Sequence, residues 1–370
     1  MKNLFSYTTN ICKLVHKRKS NLAMKPLFIN FLLTYKCNAR CRMCNIWDIY
    51  GNSPEKLKNE LSLDDIRNFL TLNKDFLSNL GHVGLTGGEP LLLRDDFVDI
   101  VKAFREILPW VEVGVQTNGL VPDLARAKLR EIVSFYPQFS LAVSIDGVDS
   151  THSDMRGHPS AFDNAIQTIK YAKDLGIERI TSGMTVTPYN YKEITQVKKL
   201  VEEMGCEFSC FLTEEADYFN NQAILGECIL SGAQRKKVAE QLQEITKDHY
   251  FMDNLRLLLE GKRKPKILCF SGFTSLVIDP YGNIKPCILK VKGIDDDIFG
   301  NIKEGKLESI LQSKKAIAIK EKIKKCHCWC QCEVSSSALI FPLDVLKWFI
   351  FYCRDKKAFL RNNLKHVFKS

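Results

Sequence analysis

No acidic residue occurs between Met1 and Lys36, and no apolar run in the 370 residues reaches the roughly 18 to 20 needed to span a bilayer. The most apolar stretch, Ala338 to Cys353, is interrupted by Pro342, Asp344 and Lys347 and reads as a docked or interfacial helix. Residues 1–25 scatter Lys and Arg through the segment and lack the continuous apolar core and small-residue cleavage site of a secretory signal. No internal repeat and no low-complexity tract is present. Hydrophobic residues at 45% and charged residues at 26% exclude a wholly disordered or collagen-like chain. Lys and Arg number 53 against 43 for Asp and Glu, a net +10 that permits nucleic acid, anionic lipid or an acidic substrate without selecting among them.

Cysteine, by contrast, is abundant. Of fourteen, seven fall in two tight groups: Cys37, Cys41 and Cys44, then Cys326, Cys328, Cys330 and Cys332. Without a secretory signal the expected setting is cytoplasmic and reducing, where clustered thiolates usually mean metal. Cys12, Cys206, Cys210, Cys228 and Cys353 are isolated and read as structural. The same holds for His152, His158 and His327.

Short β-branched or apolar runs alternate with longer segments of helical period. Strands are expected at Pro26 to Thr34, His82 to Thr86, Val111 to Thr117, Phe139 to Ile145, Ile180 to Thr187 and Glu207 to Leu212. Helices are expected near 62–79, 94–107, 122–135, 159–175 and 191–204, with Ser62 and Asp163 as early-turn polar residues. Six βα units imply an α/β fold with a parallel sheet, either a partial barrel or a doubly wound sheet, with ligands at the C-terminal strand ends. The pattern divides the chain into a basic segment 1–25, a core 26–215, a helical linker 216–268, a small cysteine-rich unit 269–333 and a basic amphipathic helix 334–370.

The segment TYKCNARCRMCNIW sets Cys37, Cys41 and Cys44 as C-x3-C-x2-C directly after the first strand. A structural zinc site would want a fourth Cys or His nearby, and none follows within a dozen residues. Three thiolates on a four-iron cluster leave one iron open for chemistry, although buried or zinc-bound cysteines remain an alternative for the motif alone. Thr86-Gly87-Gly88-Glu89-Pro90 ends the second strand, Thr117-Asn118-Gly119 the third and Ser144-Ile145-Asp146-Gly147 the fourth. Taken singly these are ordinary turns; their joint occurrence at successive strand ends is harder to dismiss.

Together the motifs resemble the radical SAM superfamily over about residues 26–212, which implies a partial (βα)6 TIM-like barrel. The resemblance implies that Cys37, Cys41 and Cys44 hold a catalytic [4Fe-4S] cluster and that S-adenosyl-L-methionine chelates its open iron. Met43 would lie beside the adenine, Gly87, Gly88 and Glu89 at the methionine amino group, and Asn118 close by. Ser144 and Asp146 would face the ribose or methionine, and Arg156 would reach the carboxylate. Thr185 to Thr187 would lie near the adenine, with Asn190 a lesser candidate. No catalytic side chain beyond the cluster is assignable.

Cys269 and Cys287 frame a second pattern, in which twelve residues separate Cys269 from Gly282 and four separate Gly282 from Cys287. Tyr281-Gly282-Asn283 marks a hairpin, with arms at Leu276 to Asp279 and Ile284 to Cys287. This resembles the SPASM and twitch extensions of radical SAM enzymes and implies an auxiliary [4Fe-4S] cluster. Cys269 and Cys287 would be two ligands, and Cys328, Cys332 and Cys326, in that order, the candidates for the rest. The later C-x-C-x-C-x-C departs from the full SPASM spacing, which leaves one cluster, two clusters or a zinc knuckle open.

The resemblance implies reductive cleavage of S-adenosylmethionine to a 5'-deoxyadenosyl radical that abstracts hydrogen from a peptide or small metabolite. It also implies an electron donor such as flavodoxin or ferredoxin. An RNA-modifying enzyme is the alternative that the +10 charge leaves open, and a non-catalytic iron-sulfur electron carrier or interaction protein is the second. The basic termini would also suit peripheral contact with the inner membrane surface.

Overall fold

The structure, a computed structural model, describes residues 13–51, 53–93, 96–245, 250–261, 269–289 and 296–325. Six strands alternate with helices: β1 (Phe28–Thr34), β2 (His82–Gly87), β3 (Glu112–Thr117), β4 (Ser140–Ser144), β5 (Ile180–Val186) and β6 (Glu207–Leu212). They pair in chain order and all in parallel. A doubly wound sheet reverses its strand order at a switch point; this one does not, so the right-handed crossovers keep the helices on one face of a partial (βα)6 barrel. The expected strands hold, their ends shifted by at most two residues.

The strands carry two cores on their two faces. Ile29, Phe31 and Leu33 of β1 join the large cluster under the helices, where the Phe31 ring meets Phe69 and Phe104 edge-on at 6.1 and 5.8 Å. Leu32 points the other way and packs with Val277 against Cys37 and Cys44. One alternation thus builds both the scaffold and the floor of the cysteine loop.

Helices Leu63–Asn73, Asp96–Ile107, Pro122–Phe135, Ala161–Asp174 and Ile194–Glu203 fill the expected places. Ser62 caps the first in a reciprocal box: its hydroxyl accepts from Asp65 N, and the Asp65 carboxylate accepts from Ser62 N. That helix ends at Asn73 instead of continuing to 79, because turns occupy 74–79. A further helix, Ser150–Arg156, was not anticipated; its seven residues are too few for a periodic signal. Helices Gly232–Ile245 and Tyr250–Leu259 form the linker.

The small unit is not set apart from the barrel. Its strand β7 (Ser275–Ile278) pairs in parallel with β1, Phe28 opposite Ser275 and Phe31 opposite Ile278. Strands β8 (Asn283–Lys285) and β9 (Gly300–Asn301) follow antiparallel, giving one nine-stranded sheet ordered β6-β5-β4-β3-β2-β1-β7-β8-β9. All four residues of β7 are buried, which a strand achieves only between neighbours. No helix among the described residues is long and apolar enough to cross a membrane. Cys12, Cys326, Cys328, Cys330, Cys332, Cys353, His327 and the helix expected over 334–370 lie outside the described residues.

Candidate active site

The cysteine loop leaves the C-terminal end of β1 and is gripped on both sides by backbone. On one side, Gly88 N donates to Thr34 O at 2.7 Å and Glu89 N to Lys36 O at 2.8 Å. On the other, Arg40 N donates to Arg156 O at 2.9 Å and Arg42 N to Met155 O at 3.0 Å. Both grips demand glycine. A Cβ on Gly88 would run into the Lys36 carbonyl, and one on Gly157, whose φ is +62°, into the Arg40 carbonyl. A third hold comes from the loop after β6, where Asn45 N donates to Phe219 O and the buried Asn221 amide to Met43 O.

Cys37, Cys41 and Cys44 open on one cavity, together with Met43, Gly87, Gly88, Asn118, Ser144, Arg156 and Thr185. These are the expected residues, delivered by five successive strand ends. Phe211 to Glu214, Tyr218, Phe219, Leu255, Ile288 and Leu289 also line it. Sequence reasoning missed this second group, which carries no motif; the only available signal was its position after the last core strand and after Cys287.

Glu89 and Asp146 stand behind the cavity wall. Neither lines the cavity, and both are fully buried with their oxygens already engaged. Glu89 accepts from Thr117 Oγ1 at 2.8 Å, Asn118 N at 2.7 Å and Leu91 N at 3.1 Å, tying the end of β2 to that of β3. Asp146 accepts from Thr185 N at 2.8 Å and pairs with Arg156 at 2.7 Å. Asn190 also stands behind the wall, donating to Asp146 O and Thr185 O. His152, read as inert, accepts from Asp146 N through Nδ1 at 2.8 Å, and burial pushes its pKa down to about 3, so it stays neutral. His158 lies at the surface beside Ser160 N.

Electrostatically the site is a balance of buried charge. Burial raises the Cys37 thiol to about 11, against a hydrogen bond from Ala39 N and an approach by the Asn118 amide at 3.7 Å. Burial likewise raises Cys41 and Cys44, and Arg156, 3.6 Å from Cys41 Sγ, opposes the rise at Cys41. Burial pushes Glu89 up to about 7, while the Asn118, Thr117 and Leu91 donors pull it back. Buried thiols of this kind become thiolates by binding metal.

The donor set fits an iron-sulfur cluster. Thiolates on one tetrahedral ion with bonds of about 2.3 Å would lie about 3.8 Å apart. Among the described residues no three Cys, His, Asp or Glu side chains gather closely enough for one ion. Three thiols on one loop open on one cavity, which suits one thiolate per iron of a cluster. The Nε of Arg156 is buried without a hydrogen-bond partner, and Gly87 and Gly88 present bare backbone to the same cavity, so a ligand with both cationic and anionic ends has groups to meet.

Cys269 and Cys287 are brought to neighbouring loops. Ser271 Oγ donates to Pro286 O, and Gly272, at φ +73°, leaves room for the Pro286 ring. The free Cys206, Cys210 and Cys228 are buried in apolar surroundings, as expected for structural thiols.

Residues 31–201 match the model of the radical SAM superfamily, and residues 269–333 match that of the SPASM iron-sulfur cluster-binding domain. The antilisterial bacteriocin subtilosin biosynthesis protein AlbA of Bacillus subtilis is 29% identical over 299 residues, covering 80% of this chain and 61% of the relative. The sporulation killing factor maturation protein SkfB of the same organism is 26% identical over 324 residues, covering 86% and 73%. This chain therefore spans about three fifths of the length of AlbA. Among solved structures, SuiB of Streptococcus suis bound to precursor peptide SuiA superposes with a TM-score of 0.63 over 87% of this chain and 76% of that one. At 17% identity that likeness is one of fold.

Proposed function

Since the chain belongs to the radical SAM superfamily and carries a SPASM iron-sulfur domain, we propose that it modifies a peptide by hydrogen abstraction in the cavity between the two. One observation carries this reading: the cavity onto which Cys37, Cys41 and Cys44 open is also lined by Ile288 and Leu289, directly after Cys287. A substrate seated there touches both units.

When bound, the [4Fe-4S] cluster and S-adenosylmethionine supply a 5'-deoxyadenosyl radical able to take hydrogen from unactivated carbon. In this reading Cys37, Cys41 and Cys44 hold the iron, and Cys269 and Cys287 hold part of the auxiliary cluster. Gly87 and Gly88 let an ammonium group approach the strand-end backbone, and Arg156 faces a carboxylate. Met43 and Thr185 flank the adenine. Glu89 and Asp146 position these groups from behind. Phe211, Leu212, Tyr218 and Phe219 exclude water from the reacting carbon, which a carbon radical requires.

A peptide is favoured over a small metabolite because SuiB is bound to a precursor peptide, and AlbA and SkfB are named for bacteriocin biosynthesis and for maturation of a killing factor. The test is isotopic. The reconstituted protein would be offered deuterated peptide, RNA and metabolite pools in turn. Deuterium in 5'-deoxyadenosine from the peptide pool is the expected result, and transfer from RNA or metabolites alone would overturn the peptide assignment.

A further inference from the structure

Arg18 lies outside both regions matched to known families, on a helix over residues 13–19, yet it is built into the unit that carries Cys269. Its Nε donates to Cys269 O at 2.7 Å. Its guanidinium stands over the rings of Phe270 and Phe273, at 5.7 and 5.6 Å from their centroids. Only 6% of the residue is exposed. The segment is fastened around it: Lys324 Nζ donates to Lys19 O, Asn21 to Glu321, and Leu27 N to Thr274 O.

Among the described residues this charge has no acid against it. Among the described residues no carboxylate forms an ion pair with Arg18; Glu321 faces it only at longer range and is held by Asn21 and Lys324. A second buried cation stands on the same ring. Lys320, fully buried, lies 5.4 Å from the Phe273 centroid and donates to Leu311 O, again without a carboxylate partner among the described residues. Two buried cations in one small unit, with no carboxylate partner among the described residues, are costly unless an anion offsets them. An iron-sulfur cluster held by thiolates carries net negative charge and would be that anion.

We propose that Arg18 is a positioning residue and the buried counter-charge of the auxiliary cluster, fixing the Cys269 backbone and raising the cluster's reduction potential. Net charge and hydrogen bonding around a cluster set its potential, and a nearby cation favours the more negative, reduced state. The proposal rests on Cys269 being a ligand of that cluster.

The experiment is a potentiometric titration of the full, anaerobically reconstituted chain, with both clusters followed by electron paramagnetic resonance and iron counted per chain. Arg18→Gln removes the charge, and Arg18→Lys keeps it as a compact ammonium without the planar fork. The auxiliary potential is expected to fall in Arg18→Gln and to stay near the starting value in Arg18→Lys, with the catalytic cluster unmoved in both. If Arg18→Gln folds without auxiliary iron while Arg18→Lys retains it, the charge is needed for assembly and the proposal stands. An unchanged potential in Arg18→Gln at full iron, or equal losses of iron in the two variants, would overturn it. Cys269→Ala separates the premise: full auxiliary iron in that variant would place the fault with the ligand assignment.

Discussion

Arg156 joins Asp146 to Cys41: one terminal nitrogen lies 2.7 Å from Asp146 Oδ2 and the other 3.6 Å from Cys41 Sγ. Asp146 and Arg156 are buried and Cys41 is partly buried, and Arg156 and Cys41 line the cavity while Asp146 does not. Burial opposes its charge, but the charges of Asp146 and Cys41 outweigh that and keep it protonated. The carboxylate of the fourth strand end therefore acts on the site through the guanidinium.

Asp146→Asn should strip this guanidinium of its counter-charge while preserving shape. Breaking one side of a buried pair costs about 3 to 5 kcal/mol, so a drop of that order in unfolding free energy is expected, together with weaker S-adenosylmethionine binding. Thermal unfolding and equilibrium binding of the cofactor check it. Unchanged values for both would show that the pair is dispensable.

Gly88→Ala and Gly157→Ala should each lower catalytic-cluster iron without altering a ligand. The new methyl group would press on the carbonyl of Lys36 or Arg40, on opposite flanks of the cysteine loop. Iron per chain is expected to fall in both variants while auxiliary iron persists. Gly176→Ala is the control, because its Cβ would meet nothing within 4 Å; its φ of +78° makes strain of about 1 kcal/mol the only cost.

Glu89→Gln keeps one acceptor oxygen for three donors. Asn118 N or Thr117 Oγ1 would be left without an acceptor, at a cost of about 1 to 3 kcal/mol. Asn118, whose amide reaches Asn38 and Cys37, should shift with it. Denaturant unfolding would measure the loss, and a change in the cluster's spectrum on adding S-adenosylmethionine would report the shift.

The barrel was legible because its information is local. Alternation over ITSGMTV gives the observed burial pattern of β5, and the motif glycines sit where backbone must approach backbone. Residues behind the wall were not. Glu89 stands in a motif, yet its partners Thr117 and Asn118 come from another strand, and the Asp146 to Arg156 pair forms only because a seven-residue helix folds back. The union of β7 with β1 joins segments some 245 residues apart, which no periodicity encodes. The ring of Phe211, Tyr218, Ile288 and Leu289 was invisible for the same reason: apolar residues in loops acquire meaning only from what they face.

Cys287→Ala should separate the two units functionally. Cleavage of S-adenosylmethionine is expected to continue near the normal rate, with auxiliary iron lost and turnover of the peptide abolished. Loss of cofactor cleavage in a folded Cys287→Ala protein would mean that the auxiliary cluster serves the first electron transfer instead.

The most direct measurement pairs iron content with 5'-deoxyadenosine formation after anaerobic reconstitution and dithionite reduction, in the unaltered chain and in Cys41→Ala. About eight irons per chain with deoxyadenosine formed, falling to about four irons and no deoxyadenosine in Cys41→Ala, is the expected result. A fully loaded chain that forms no deoxyadenosine, or a Cys41→Ala variant that forms it normally, would contradict the account.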